Sequence, residues 1–186
     1  ANHRARHGDL RREAYLLSQL QSLPAWRGRV VHRGIELFVV PALRNGASPD
    51  SSTAVSNALR MAQEQLAFSA AKGYRREGVI KTRVGDSFCA LFEHEYDRPL
   101  QADDIDQALV EIERAMRAAC ESPQIAAVVR GHNWYAAELT LPFMIAGIRV
   151  QPRLDLVAFA GPDEVTVVDW KACERIGGNY YEQLAT

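Results

Sequence analysis

Two apolar runs near the carboxyl end, each carrying a carboxylate, constrain this chain more than any other feature. Residues 148–159 contain Asp155, and Val165-Thr166-Val167-Val168-Asp169-Trp170-Lys171 follows after the link Ala160-Gly161-Pro162-Asp163-Glu164. The link is rich in turn formers, so the pattern predicts two adjacent strands joined as a hairpin. Side chains alternate faces along a strand, which puts Asp169 and Lys171 on one face and Thr166, Val168 and Trp170 on the other. A hairpin would also set Asp155 beside Asp169.

Two carboxylates on neighbouring strands repel each other unless a cation lies between them, and hard oxygen ligands suit Mg²⁺ or Mn²⁺. A nearby lysine can then orient an attacking water or neutralise phosphate charge, which is what metal-dependent cleavage of a phosphodiester requires. The bland alternative is a salt bridge or a solvated strand end, because Asp-x-Lys is a common tripeptide. Glu138, within residues 135–141, reads as part of the strand before that of Asp155. It is either a further acid of the site or an exposed polar residue on a half-buried strand. Helical spacing groups His32 with Glu36, beside an apolar stripe of Val31, Ile35 and Phe38. His32 is therefore either a structural imidazole at the edge of the core or a group facing a site.

The runs Leu154-Asp155-Leu156-Val157, Val168-Asp169-Trp170-Lys171 and Gln183-Leu184-Ala185, with Gly28-Arg29-Val30-Val31-His32 upstream, resemble the PD-(D/E)XK nuclease superfamily in its RecB-like branch. In that branch an early helix carries Gly-x-x-x-His and an Asp ends one strand. Asp- or Glu-x-Lys lies on the next strand, and a following helix carries Gln-x-x-x-Tyr. The chain stops at Thr186, where the tyrosine would be the next residue, so it is expected to be part of something longer. It departs from the signature in lacking the Pro-Asp pair, since Pro152 lies upstream of Asp155 rather than beside it.

The resemblance implies a restriction-endonuclease-like α/β fold: a small mixed central sheet flanked by helices, in one nuclease domain over 1–186, with a helical insertion at about 47–130. It implies that His32, Asp155, Asp169 and the backbone carbonyl of Trp170 hold Mg²⁺ or Mn²⁺. Glu138 would bind a second metal, contact a metal water or orient Lys171. An imidazole ligand favours Mn²⁺. Lys171 would place the water, and Gln183 would support Lys171 or touch the DNA backbone. The implied activity is hydrolysis of single- or double-stranded DNA, by exonuclease or endonuclease action, in repair, recombination or phage and mobile-element DNA processing. A helicase or recombination partner is implied as well. The alternative is a catalytically inactive nuclease-like module that binds DNA or a partner, and the presence of Asp155, Asp169 and Lys171 counts against it.

The chain's 186 residues, 47% hydrophobic and 24% charged, suit a soluble globular domain. No apolar run approaches the roughly twenty residues that span a bilayer, and residues 1–7 lack the apolar segment of a secretory signal, so a cytoplasmic setting without a membrane is expected. Cys89, Cys120 and Cys173 are odd in number and widely spaced, which argues against a disulfide framework or a zinc knuckle. With a net charge of −1, phosphate binding would rest on local clusters: Arg27, Arg29 and Arg33, or Arg75, Arg76, Lys81 and Arg83. Periodicity predicts helices over about 9–22, 26–43, 53–72, 84–96 and 103–121, with Pro24, Pro41 and Asn45-Gly46 as terminators. His132 is expected in a loop before the first strand. No Walker sequence is present, so an ATP-driven motor would lie elsewhere.

Overall fold

A computed structural model describes residues 2–132, 134–161 and 164–170 of the chain. Lys171, Cys173 and Gln183 lie outside the described residues. The first helix, α1, spans Asn2–Ser18 and begins earlier than its apolar pattern suggests. Pro24 does not close it. Ser22 caps a new helix, α2 (Leu23–Gly34), by accepting a hydrogen bond from the Ala25 N–H at 3.4 Å, and Pro24 lies in the first turn of α2. A missing N–H is harmless there, and the fixed φ of proline suits a helix start.

The rod continues past α2 through a π turn, Ile35–Val39, into α3 (Val40–Arg44). The N–H of Val40 donates to the carbonyl of Ile35, five residues back. Pro41, expected as a terminator, lies inside the rod. The wider turn comes immediately before its ring, where a regular helix would lose a hydrogen bond and clash.

The helix α4 (Ser51–Ala70) starts at Asp50, whose carboxylate accepts from the Ser52 N–H at 3.1 Å. Helix α7 (Ala102–Glu121) follows the expected pattern, and α8 (Pro123–Gly131), which the periodicity did not single out, is capped by the Ser122 hydroxyl. The helix expected at 84–96 is absent. Its place is taken by α5 (Lys81–Val84), a 3₁₀ turn at Gly85–Ser87, an extended stretch and α6 (Phe92–Glu95). Gly85 adopts φ 69°, which breaks the helix. Phe88, Cys89, Ala90 and Leu91 are all buried, so this stretch has no solvent face of the kind an amphipathic helix needs.

The run at 148–159 divides at Pro152. The strands β2 (Phe143–Ile145) and β3 (Ile148–Val150) form a small hairpin of their own, and β4 (Arg153–Gly161) begins after it. Strand β4 lies between β1 (Trp134–Thr140) and β5 (Glu164–Val168), antiparallel to both. The sheets are therefore antiparallel throughout the described residues, whereas a mixed sheet was expected. Strand β4 is buried through Leu156, Val157 and Ala158, as a central strand covered on both faces should be. The expected hairpin between the Asp155 and Asp169 runs is present as β4 and β5. On β5 the face with Thr166 and Val168 is the more buried, and Val165 and Val167 are exposed, in the predicted alternation.

One apolar cluster joins the helices to the sheet, with Trp26, Val30, Ala58, Ile112, Met116, Leu156 and Trp170 among its members. The indole N–H of Trp26 donates to Gln65 Oε1 at 2.8 Å, so the one polar atom of this buried ring is satisfied. His132, in the loop before β1 as expected, donates from Nδ1 to the Val128 carbonyl and meets the Thr166 hydroxyl through Nε2, tying α8 to β5.

Candidate metal centre

Strand register brings three carboxylates into a row. Between β1 and β4, Ala137 faces Leu156 and Leu139 faces Leu154, so the intervening Glu138 is opposite Asp155. Between β4 and β5, Leu156 faces Val168, and the next position in that register sets Asp169 opposite Asp155. Directly opposed residues share a face of a sheet, so Asp155 has an acid on either side. Glu138 itself is absent from the β1 ladder and holds φ 53°, a left-handed conformation that costs energy for a residue with a Cβ. Strain of this kind persists only where the surroundings enforce it.

Helix α2 brings His32 to the row. Its Nδ1 lies 3.2 Å from Asp155 Oδ1 and 3.9 Å from Glu138 Oε1. His32, Glu138 and Asp155 each offer a ligand atom, and these atoms all lie within 4.8 Å of one another. The Trp170 N–H donates to Asp155 Oδ2 at 2.6 Å, and His32 also hydrogen-bonds the Trp170 backbone, whose acceptor is the carbonyl oxygen. The carbonyl expected as a ligand therefore borders the site. Asp169, exposed at the end of β5, reaches the Asp155 carboxylate but is not one of the clustered three.

The electrostatics follow from these contacts. The His32 pKa is raised, chiefly by its hydrogen bond to Asp155; burial opposes this, and the charges of Asp155 and Glu138 reinforce it. Burial pushes the Asp155 carboxyl up, but the hydrogen bonds from His32 and from the Trp170 N–H outweigh it, and the net shift is downward. One imidazole nitrogen with two or three carboxylates is a donor set that suits Mn²⁺ or Mg²⁺, so the residues present fit a divalent ion.

The centre lies in a cleft of about 610 Å³ whose walls include Arg29, Lys81, Phe88 and Arg153. Arg153 forms an ion pair with Glu138. It was not among the residues the sequence singled out, yet strand alternation was signal enough, because Arg153 and Asp155 occupy one face of β4. The other cationic candidates divide by partner. Arg27 pairs with Glu111, Arg33 with Asp86 and Glu36, and Arg75 with Glu13 and Glu95. Arg33 lines the cleft with its partners Glu36 and Asp86, so Arg29, Lys81 and Arg153 are the cleft cations that these pairs do not engage.

The consecutive Glu93, His94 and Glu95 diverge to separate partners. Glu93 accepts from the Leu23 N–H, His94 meets the Ser69 hydroxyl, and Glu95 binds Tyr74 and Arg75. Cys89 and Cys120 are free thiols, and burial pushes Cys89 up to about 11. Among the described residues no helix is long and apolar enough to cross a membrane.

A family model described as the PD-(D/E)XK nuclease superfamily matches residues 2–177. No curated protein and no solved structure matches the chain.

Proposed function

The chain belongs to the PD-(D/E)XK nuclease superfamily, and from that membership we propose that it is a Mg²⁺- or Mn²⁺-dependent nuclease that hydrolyses phosphodiester bonds in DNA. The observation that carries the reading is the meeting of His32, Glu138 and Asp155 within 4.8 Å in a cleft that Arg29, Lys81 and Arg153 also line. In this reading those three residues hold the ion, with Asp169 and the Trp170 carbonyl beside them. A divalent ion held there supplies Lewis-acid charge to the scissile phosphate and makes a water acidic enough to attack at neutral pH.

The chain's own residues supply the rest. Arg153 orients Glu138 through their ion pair, and the Trp170 N–H fixes one oxygen of Asp155. Lys171 positions the water in line with the phosphate, and Gln183 steadies Lys171 or touches the DNA backbone. The reading extends to residues 1–186 as one nuclease domain of the RecB-like branch, with 47–130 as its helical insertion. A cytoplasmic role in repair, recombination or phage and mobile-element DNA processing, alongside a helicase or recombination partner, belongs to it too.

Cleavage of labelled single- and double-stranded DNA, linear and circular, tests the proposal with wild type, Asp155→Asn and Lys171→Ala in Mg²⁺, Mn²⁺ or EDTA. We expect products with either ion, none in EDTA, and losses of about 100-fold or more in each variant. Circular substrate separates endonuclease from exonuclease action. Cleavage that persists in Asp155→Asn overturns the assignment.

A further inference from the structure

We infer that Lys81 and Arg29 form a phosphate-binding wall of the cleft, so that DNA is gripped from the helical part of the chain as well as from the sheet. The inference rests on the nuclease reading and deepens it. It assigns substrate contacts to Lys81 on α5 and Arg29 on α2, neither of them on a strand of the carboxylate row.

Four cations, Arg29, Arg33, Lys81 and Arg153, line the cleft that also holds His32, Glu36, Asp86, Glu138 and Asp155, and Arg33 pairs with Glu36 and Asp86. Arg153 is balanced by Glu138. Among the described residues no ion pair engages Arg29 or Lys81. Like charges brought together at a cleft wall raise each other's energy unless an anion joins them. That cost is visible at Lys81, whose pKa is lowered by burial first and then by the charges of Arg29 and Arg153. A polyanion threading the cleft would reverse it. A lysine ammonium and an arginine guanidinium are the side chains suited to phosphate oxygens.

The wall is anchored, which separates it from a chance group of surface cations. The turn that follows α5 is fixed through Asp86, which accepts from Arg33 Nε at 2.7 Å and from Arg33 Nη2 at 3.1 Å. The Asp86 carbonyl accepts from Gln65 at 2.6 Å, and Ser87 donates to Glu64 at 3.2 Å. Arg33 is the chain neighbour of His32, so the segment carrying Lys81 is held to the helix that carries the histidine. Arg29 lies on the same helix, about one turn before His32. Rigid support of this kind gives a charged side chain a defined place relative to the reacting phosphate.

The test measures DNA binding by the full chain in Ca²⁺ across a range of NaCl concentrations, and KM and kcat for cleavage in Mn²⁺. The proteins are wild type, Lys81→Ala, Lys81→Arg, Arg29→Ala, and Arg117→Ala, a control whose arginine pairs with Glu113 away from the cleft. Lys81→Ala and Arg29→Ala should each raise Kd and KM several-fold and flatten the slope of log K against log salt by about 0.7 to 0.9, the loss of one phosphate contact. Lys81→Arg should restore most of both, and Arg117→Ala should match wild type. The wall is overturned if Lys81→Ala keeps the wild-type slope and KM, if Arg117→Ala falls as far, or if wild type binds no DNA. A wild type that binds DNA without cutting it sinks the nuclease reading alone, because the salt slopes still judge the wall.

Discussion

At Asp155, burial and hydrogen bonding pull in opposite directions, and the pairing with His32 and the Trp170 N–H decides the outcome. The sign of the pH dependence follows. The folded pKa of His32 lies above its ordinary value of 6.5, so protonated His32 stabilises the metal-free protein fully below about 6.5, and that contribution is lost as pH rises through the raised value. Asp155 lies below its ordinary value of 3.8, so its contribution is present above about 3.8 and disappears as pH falls through the lowered value. We expect the difference in melting temperature between wild type and His32→Ala in EDTA to shrink as pH rises from 6 to 9. Mn²⁺ affinity, measured by calorimetry over the same range, should tighten with pH, because a metal and a proton compete for the imidazole. A difference that stays constant would show that the His32–Asp155 contact carries no charge. His32 and Asp155 stood out in the sequence because motif spacing marks them. Lys81 stood in the sequence only as one member of a basic cluster, since nothing local distinguishes a cleft lysine from a solvated one.

Helix α2 meets α7 where Gly34 faces Met116. A Cβ added at Gly34 would lie 2.6 Å from Met116 Sδ and 3.0 Å from its Cε, so the Met116 side chain must shift before any larger residue fits there. Gly34→Ala should destabilise the protein by about 1 to 3 kcal/mol, measured by urea unfolding, as overpacking does in a dense core. Because the obstacle is a single side chain, Gly34→Ala combined with Met116→Ala should cost clearly less than the sum of the two changes. Strict additivity would show that the clash lies with the backbone. Elements with one polar face, such as α7 and most of α4, were legible from apolar periodicity. The stretch 84–96 was not. Its Phe88, Leu91, Phe92 and Glu95 mimic helical spacing, but four consecutive buried residues and the left-handed Gly85 belong to an extended segment. Pro24 and Pro41 misled for a related reason. A proline disfavours a helix interior, but whether it opens a helix or follows a π turn depends on backbone geometry that composition does not carry.

Across the whole molecule, Trp26 joins the helix that carries His32 to the rest of the core. It is fully buried and bonded through its indole N–H to Gln65 on α4. Trp26→Ala should cost about 3 to 5 kcal/mol in chemical unfolding, by leaving a large cavity and a buried amide oxygen without a donor. Metal affinity measured well below the melting temperature should change far less, since no ligand atom is removed; an equal collapse of both would mean that the centre and the core are one cooperative unit. The sequence by itself determined the strand hairpin, the faces on which its side chains lie, and the histidine and aspartates that carry the family's pattern. These follow from periods of two and 3.6 residues and from turn chemistry, which are properties of contiguous chain. Only the tertiary structure decided that Glu138 stands opposite Asp155 with a left-handed backbone, that the sheet is antiparallel, that Arg75 serves a clasp with Glu13 and Glu95, and that Lys81 stands in the cleft with Arg29. Each of these depends on which segments pack together across tens of residues, and close packing of buried side chains, rather than local preference, makes that choice.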